Sequence, residues 1–456
     1  MVKKKKTIYI LAIVPIILIA FAVVWFLAVI FEGERPAIST TPLPEFLSKT
    51  ETISVEFFDQ KRGLKEVTLT LSQEGREIVI LREKFPFKGL LNRKGVHQYR
   101  KDLSIDPLDL NLAQGRLDII LRAWDYSRRR GGDGNFALLR RKMVVDTIPP
   151  AIRALSRMHN VNMGGAGLVV YQTSSDARES GLFVNEMFFK GFPAMERAEE
   201  GMHVVYFAVP QDLSSEPSIL LWAKDRAANV SKSGFYYHIR RKKFRREVIN
   251  LTDRFLKKVL PYFSWYSFDP GTTDIQKYLT INRELRKENH KRLLELKDRS
   301  DPQRMWEGKF LRLRNAATMA RFGDRRFYLY KGKKVDEQVH LGVDLASLAN
   351  SPVPAANHGR VIFAGTLGIY GNTVVLDHGQ GLMSLYGHLS KIDVDPGQTV
   401  RKGDFIGRTG QSGLAGGDHL HFAMMVNGIF VNPIEWWDDH WIRDNIARKL
   451  ALLKTK

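Results

Sequence analysis

The chain of 456 residues contains no cysteine. This excludes a disulfide framework and any thiolate metal site, so a bound metal would have to be held by His, Asp or Glu. The absence is also compatible with an oxidising space outside the cytoplasm, where a stray thiol is a liability. Acidic residues are in short supply, 49 Asp and Glu against 70 Lys and Arg, which leaves a net charge of +21. The excess is concentrated in runs such as Arg128–Arg130 and Arg240–Arg246. Such runs suit a polyanionic partner, anionic envelope polymers or lipid among them, or they are solvated loops. No nucleic-acid-binding motif accompanies them, and no nucleic-acid partner is expected. No low-complexity tract interrupts the chain, and its 44% hydrophobic and 26% charged residues are a globular balance. Its length suggests two to four domains.

Long hydrophobic runs are absent but for one. Lys3–Lys6 precede the charge-free stretch Ile8–Phe31, which is long enough to cross a bilayer as a helix. No small-x-small cleavage site precedes Glu32, so the stretch reads as an anchor rather than a cleaved signal. Residues 1–6 then form a cytoplasmic basic tail and 7–31 a transmembrane helix. By the positive-inside rule the bulk of the chain lies on the outer, periplasmic face of the inner (cytoplasmic) membrane.

Beyond a Pro-rich connector (32–50), residues 51–147 alternate apolar and polar in short runs such as Val67–Leu71, the pattern of half-buried antiparallel strands. The run ends at Pro149-Pro150, which cannot continue a ladder. Ile119–Asp125 followed by Asn135 resembles Ile219–Asp225 followed by Asn229. This repeat predicts two tandem immunoglobulin-like β-sandwiches, 51–147 and 148–243. From 244 to 311 the period changes. Val248, Leu251, Phe255 and Val259, then Ile275, Tyr278, Leu279, Ile281, Leu285, Leu293 and Leu296, recur at helical spacing and predict amphipathic helices. Their many charged residues read as a solvated face or a docking surface. A mainly β domain is expected over 312–440 and a basic helix over 441–456.

Six of the twelve histidines fall between His340 and His421. The first element is His340-Leu-Gly342-Val-Asp344, and the last is His419-Leu420-His421 at the head of an apolar, strand-like run to Val426. Residues two apart on a strand share a face, so His419 and His421 can address one centre. Two imidazoles and one carboxylate suit zinc and leave a fourth position for water. A proton carrier and an oxyanion donor are then needed. His388, in Tyr386-Gly387-His388-Leu389, and whichever of His419 and His421 is not a ligand are the candidates.

The ordered set His340-x-Gly342-x-Asp344, Tyr386-Gly387-His388-Leu389 and His419-Leu420-His421-Phe422 resembles the signature of the lysostaphin-type M23 metallopeptidases, or LytM domains. Connecting segments match too, among them Tyr370-Gly371-Asn372 and Leu376-Asp377-His378-Gly379. The resemblance implies an antiparallel β domain with one zinc ion held by His340, Asp344 and His421 on the floor of a groove. It implies that His388 and His419 orient water or carbonyl and stabilise the transition state, and that the substrate is a peptide cross-link of peptidoglycan. Ala415-Gly416-Gly417-Asp418 departs from the family's usual Ser-Thr-Gly-Pro; Asp418 is placed either to favour a charged His419 or to face solvent. His378 reads as a hydrogen-bonded structural residue and His358 as a loop residue, and the histidines outside the motif region, His290 among them, read as structural. Phe310 and Phe322 read as core, and Arg326 is a candidate for holding a stem-peptide carboxylate. The rival to an enzyme is a LytM-like module that activates another wall hydrolase; such modules typically lack ligands, and here all are present. A purely structural zinc site would be closed by four protein ligands, and the motif supplies three.

Overall fold

The computed structural model describes residues 2–194, 200–213 and 216–453. Met1 and residues 454–456 of the expected basic C-terminal helix lie outside these. The chain forms two compact units, one of 1–149 with 226–229, the other of 150–225 with 230–456. Mainly β structure is found in both, as the alternation predicts.

In the first unit a helix runs from Val2 to Ile30, and its window Ile13–Ile30, of mean hydropathy 3.1, is long and apolar enough to cross a membrane. A sandwich comes next. Its five-stranded sheet has the spatial order Phe46–Leu47, Phe136–Val145, Gly115–Asp125, Leu64–Gln73, Arg76–Lys84. Its three-stranded sheet has the order Ala37–Thr40, Glu51–Phe58, Gln98–Ile105. Val55, Phe57 and Ile105 from one sheet and Leu69, Leu121 and Leu117 from the other share a core. The Pro-rich stretch 32–50, expected as a connector, therefore supplies two strands, 37–40 and 46–47. Proline is tolerated there because Ala37–Thr40 is an edge strand and Phe46–Leu47 is only two residues long. The repeated Asp and Asn positions have a use: Asn135 Nδ2 donates to Asp125 Oδ2 (2.8 Å) and to Glu32 Oε1 (2.9 Å), tying the chain just past the apolar helix to the sandwich.

In the second unit, Ile219–Asp225 lies inside a four-stranded sheet, ordered Met187–Lys190, Ala177–Val184, Ile219–Asp225, Val230–Ser233. A facing sheet of Phe192–Pro193, Met202–Ala208, Ala166–Thr173 and Ile152–Ala154 completes the layer pair. No break separates this sandwich from the C-terminal region, because one core runs from Val170 and Phe207 through Phe310 and Trp436 to Met424. Trp436 stands 5.6 Å from Trp306 and 6.4 Å from Tyr206, ring centre to ring centre. Lys449, on the C-terminal helical turns, is buried and donates to Leu168 O (3.1 Å). Buried Glu435 accepts from Asn162 Nδ2 (2.7 Å) and the Ala166 amide (3.0 Å).

Burial pushes the Glu435 carboxyl up to about 7 from an ordinary 4.5, against its hydrogen bonds and the charge of Lys242. A raised carboxyl gives stability that is fully present below pH 4.5 and is lost as pH rises through 7. Melting temperature followed from pH 4.5 to 8 should fall with a component, on the order of 3 kcal/mol, that Glu435→Gln removes. An unchanged slope in the variant contradicts this.

The C-terminal region is built on an antiparallel sheet ordered Ala317–Ala320, Val343–Ala346, Leu420–Val426, Leu382–Leu389, Asn372–Asp377, Gly359–Thr366, Thr399–Val400, with Ile429–Val431 also paired to Leu420–Val426. Phe310 and Phe322 are core. The expected helical segment begins differently: Arg246–Leu251, with Val248 and Leu251, is a strand in parallel register with Arg325–Tyr330. Thr252 then caps the first helix, Asp253–Val259, its hydroxyl accepting from the Phe255 amide. Helices Asp274–Thr280 and Arg286–Glu295 come after it, joined by one π turn.

Candidate metal centre and catalytic cavity

Strand register assembles the centre. Asp344 on Val343–Ala346 is paired with His421 on Leu420–Val426, and Gly387 is His421's partner on the other side. His388 follows Gly387 with a left-handed backbone, φ 62°, a conformation that costs a non-glycine residue about 1 kcal/mol or more and clusters at functional sites. His340 sits just before the first strand, and His419 bridges to Gly410 just before the other. All five residues predicted from the sequence are thus brought together.

Backbone carbonyls fix the imidazole tautomers. His340 Nδ1 lies 3.1 Å from Arg321 O, His388 Nδ1 2.8 Å from Ser412 O, and His419 Nδ1 2.8 Å from Gly417 O. A carbonyl only accepts, so each Nδ1 carries the proton and each Nε2 is left as a lone pair. His340 Nε2 stands 2.9 Å from Asp344 Oδ1 and 3.1 Å from His421 Nδ1, which is itself 2.9 Å from the same Oδ1. His419 Nε2 is 3.6 Å from that oxygen. More lone pairs than protons meet at this point. His421 Nε2, meanwhile, is buried without a hydrogen-bond partner. One atom each from His340, Asp344 and His421 lie within 4.8 Å of one another. Converging, buried, proton-poor N and O donors are the chemistry a divalent cation satisfies, so the residues fit such an ion.

Charge follows the same geometry. Burial opposes ionisation of Asp344, but His340, His419 and His421 hold it well below the usual carboxylate range. Burial pushes His421 down to about 4, despite Asp344. Burial, with the charges of His419 and His421, holds His388 well below its ordinary value. His419 alone is raised, because Asp344's hydrogen bond and charge outweigh its burial. Asp418 does not touch His419; it accepts from Thr409 Oγ1 (2.6 Å) and the Asn350 amide (3.1 Å), pinning the loop that carries the histidine.

Arg326, expected to hold a substrate carboxylate, is already engaged. Its guanidinium donates to Asp344 Oδ2 and to Glu247 Oε2, both at 3.1 Å, which steers the carboxylate from behind. His378 is structural as expected, bonded to His358 O and Ser384 Oγ, each 2.7 Å.

The centre opens on a cavity of about 380 Å³ whose other wall is the helical segment, through Phe255, Tyr278 and Arg286. Three contacts seat that wall. Asn289 Oδ1 accepts from the Ile369 amide (2.9 Å), His290 Nε2 meets Tyr370 Oη (3.0 Å), and Lys258 donates to Gly416 O (2.8 Å). Tyr370's ring is 5.4 Å from that of His421. Sequence reasoning assigned no role to Tyr370 or Arg286 and left His290 outside the motif region. For Arg286 and His290 the signal was that they lie four apart, and so on one helix face, and for Tyr370 that Tyr370-Gly371-Asn372 matches the M23 signature.

Residues 338–433 match the model of Peptidase family M23. Over 97 residues the chain is 40% identical to the DD-carboxypeptidase/endopeptidase Mpg of Neisseria meningitidis serogroup B, covering 21% of this chain and 22% of that protein. It is 40% identical over 96 residues to the peptidoglycan DD-endopeptidase ShyA of Vibrio cholerae, 21% of this chain and 22% of the relative. It is 40% identical over 95 residues to the murein hydrolase activator EnvC of Escherichia coli, 21% of this chain and 23% of the relative. The chain spans about a fifth of the length of the curated relatives it matches. With His340, Asp344, His388, His419 and His421 of the matched stretch meeting on one cavity, the C-terminal region of this chain is a Peptidase family M23 domain.

Proposed function

We propose that the protein is a zinc-dependent endopeptidase that hydrolyses peptide cross-links of bacterial peptidoglycan from the outer face of the inner membrane. The observation that carries this reading is the meeting of three donor atoms, from His340, Asp344 and His421, beside two further imidazoles whose Nε2 lone pairs are fixed by Ser412 O and Gly417 O. Zinc bound there would activate water and polarise the scissile carbonyl at neutral pH. His388 and His419 share the proton and oxyanion work. One of them would take a proton from the attacking water on Nε2 and pass it to the departing amine nitrogen, while the other orients the water or carbonyl and stabilises the developing oxyanion. Backbone carbonyls behind both rings hold the tautomer through the cycle. Membrane attachment is supported by the apolar helix with Lys3–Lys6 at its start, and a net charge of +21 suits anionic envelope polymers.

The similarity to a murein hydrolase activator supports a second reading, in which the domain activates another enzyme. Purified peptidoglycan digested with the zinc-loaded full chain in detergent separates the two. New cross-link fragments that His421→Ala fails to release support the enzyme, and their masses name the bond. Intact cross-links after digestion by a folded, zinc-loaded chain would sink it in favour of the activator.

A further inference from the structure

Resting on the reading above, we infer that Arg286, outside the M23 match, is a specificity residue that receives a carboxylate of the substrate on the helical wall of the cavity. The charged groups facing this space decide the matter. Of its acids, Asp344 belongs to the candidate metal centre, and Glu247 is held by Arg326 (3.1 Å) and Arg245 (3.0 Å). Arg326 is spent between Glu247 and Asp344. Arg286 is the remaining guanidinium lining the cavity, and among the described residues it has no carboxylate within ion-pair distance.

Its pose is nevertheless fixed. Nε donates to Asn282 O (3.1 Å) and one terminal nitrogen to Asn282 Oδ1 (2.6 Å). Asn282 is fully buried and is itself anchored by donating to Asp336 Oδ2 (2.8 Å), whose charge is answered by Arg283 (3.0 Å). The guanidinium is therefore oriented by a neutral group while keeping its charge uncompensated, with further N–H donors unused. A planar fork held in this way matches a carboxylate bidentately, and little ordering entropy remains to be lost on binding. Its place across the cavity from His388 and His421 puts the recognised carboxylate on the same peptide as the scissile bond. Such a contact, made equally in ground and transition states, lowers KM and leaves kcat alone.

The test compares an acyl-D-alanyl-D-alanine peptide bearing a free C-terminal carboxylate with its C-terminal amide, by calorimetric binding to the full chain in detergent, zinc-loaded and again after chelation. Wild type should prefer the acid about tenfold or more, with or without zinc. Arg286→Gln should bring the two within about twofold by weakening only the acid, and Arg286→Lys should fall between. Turnover of muropeptides should show KM raised about tenfold in Arg286→Gln with kcat within twofold. Should Arg286→Gln unfold, the acid preference of wild type and the Arg286→Lys series still decide. A preference that vanishes on chelation, that Arg286→Gln leaves intact, or that wild type never shows overturns the inference. Failure of the endopeptidase reading would register separately, as absent cleavage by wild type.

Discussion

Asp344→Ala is expected to take bound zinc from one ion per chain to well below stoichiometric at micromolar metal, and cross-link hydrolysis down by on the order of 10⁴-fold or more. One oxygen carries this expectation. Asp344 Oδ1 lies 2.9 Å from His340 Nε2 and 2.9 Å from His421 Nδ1, while Oδ2 receives Arg326 at 3.1 Å. Without the carboxylate the centre offers two imidazoles beside a guanidinium that has lost one of its two carboxylates, and the attraction for a cation falls. The structural penalty is smaller than it looks, because Arg326 keeps Glu247. Metal content by atomic absorption and turnover on the same preparation, with melting temperature as a check on folding, decide the point. Stoichiometric zinc together with more than a hundredth of wild-type turnover would remove Asp344 from the ligand set.

His340, Asp344 and the pair His419 and His421 stand out in the sequence by residue type and spacing, while the choice of His421 over His419 comes from the resemblance to the M23 signature. Donor identity cannot be traded, and the HxH spacing puts two imidazoles on one side of an extended segment, while His340 reaches Asp344 from the turn that precedes its strand. Alternation makes the sandwiches legible for the same reason, since a period of two is written within a few residues. The misreadings all turn on distant partners. Val248 and Leu251 stand at a spacing that fits a helix turn, and only the pairing of Arg246–Leu251 with Arg325–Tyr330, nearly eighty residues on, makes the segment a strand. The expected boundary after 243 vanishes because Trp436 and Glu435, late in the chain, bury themselves against Tyr206 and Asn162. Arg286 and His290 look like one more solvated helix face. Tyr370 and the Ile369 amide, eighty residues on, are what hold that face inward, and which face of an amphipathic helix gets covered is not written in the helix.

Gly342 makes the complementary case, a motif position with no chemistry of its own. A Cβ there would stand 2.6 Å from both Cε1 and Nε2 of His421 and 2.8 Å from Phe422 O. Those atoms have nowhere to go, since the imidazole is wedged beside His340 and Asp344 and the carbonyl belongs to a central strand. Gly342→Ala should therefore displace the His421 ring by several tenths of an ångström, with an overpacking cost of about 1–3 kcal/mol. A misplacement approaching 1 Å within a reacting constellation can cost about 100-fold in rate, which sets the upper end of the expected loss. The expected result is a folded protein with a lowered melting temperature, zinc held more weakly, and turnover reduced by up to about 100-fold, although every donor atom is retained. Retention separates it from Asp344→Ala: saturating zinc should recover metal occupancy in Gly342→Ala but not full turnover, because the ring remains displaced. Wild-type zinc affinity and turnover in Gly342→Ala would mean that the strand beneath His421 yields, and that the glycine serves the backbone rather than the imidazole.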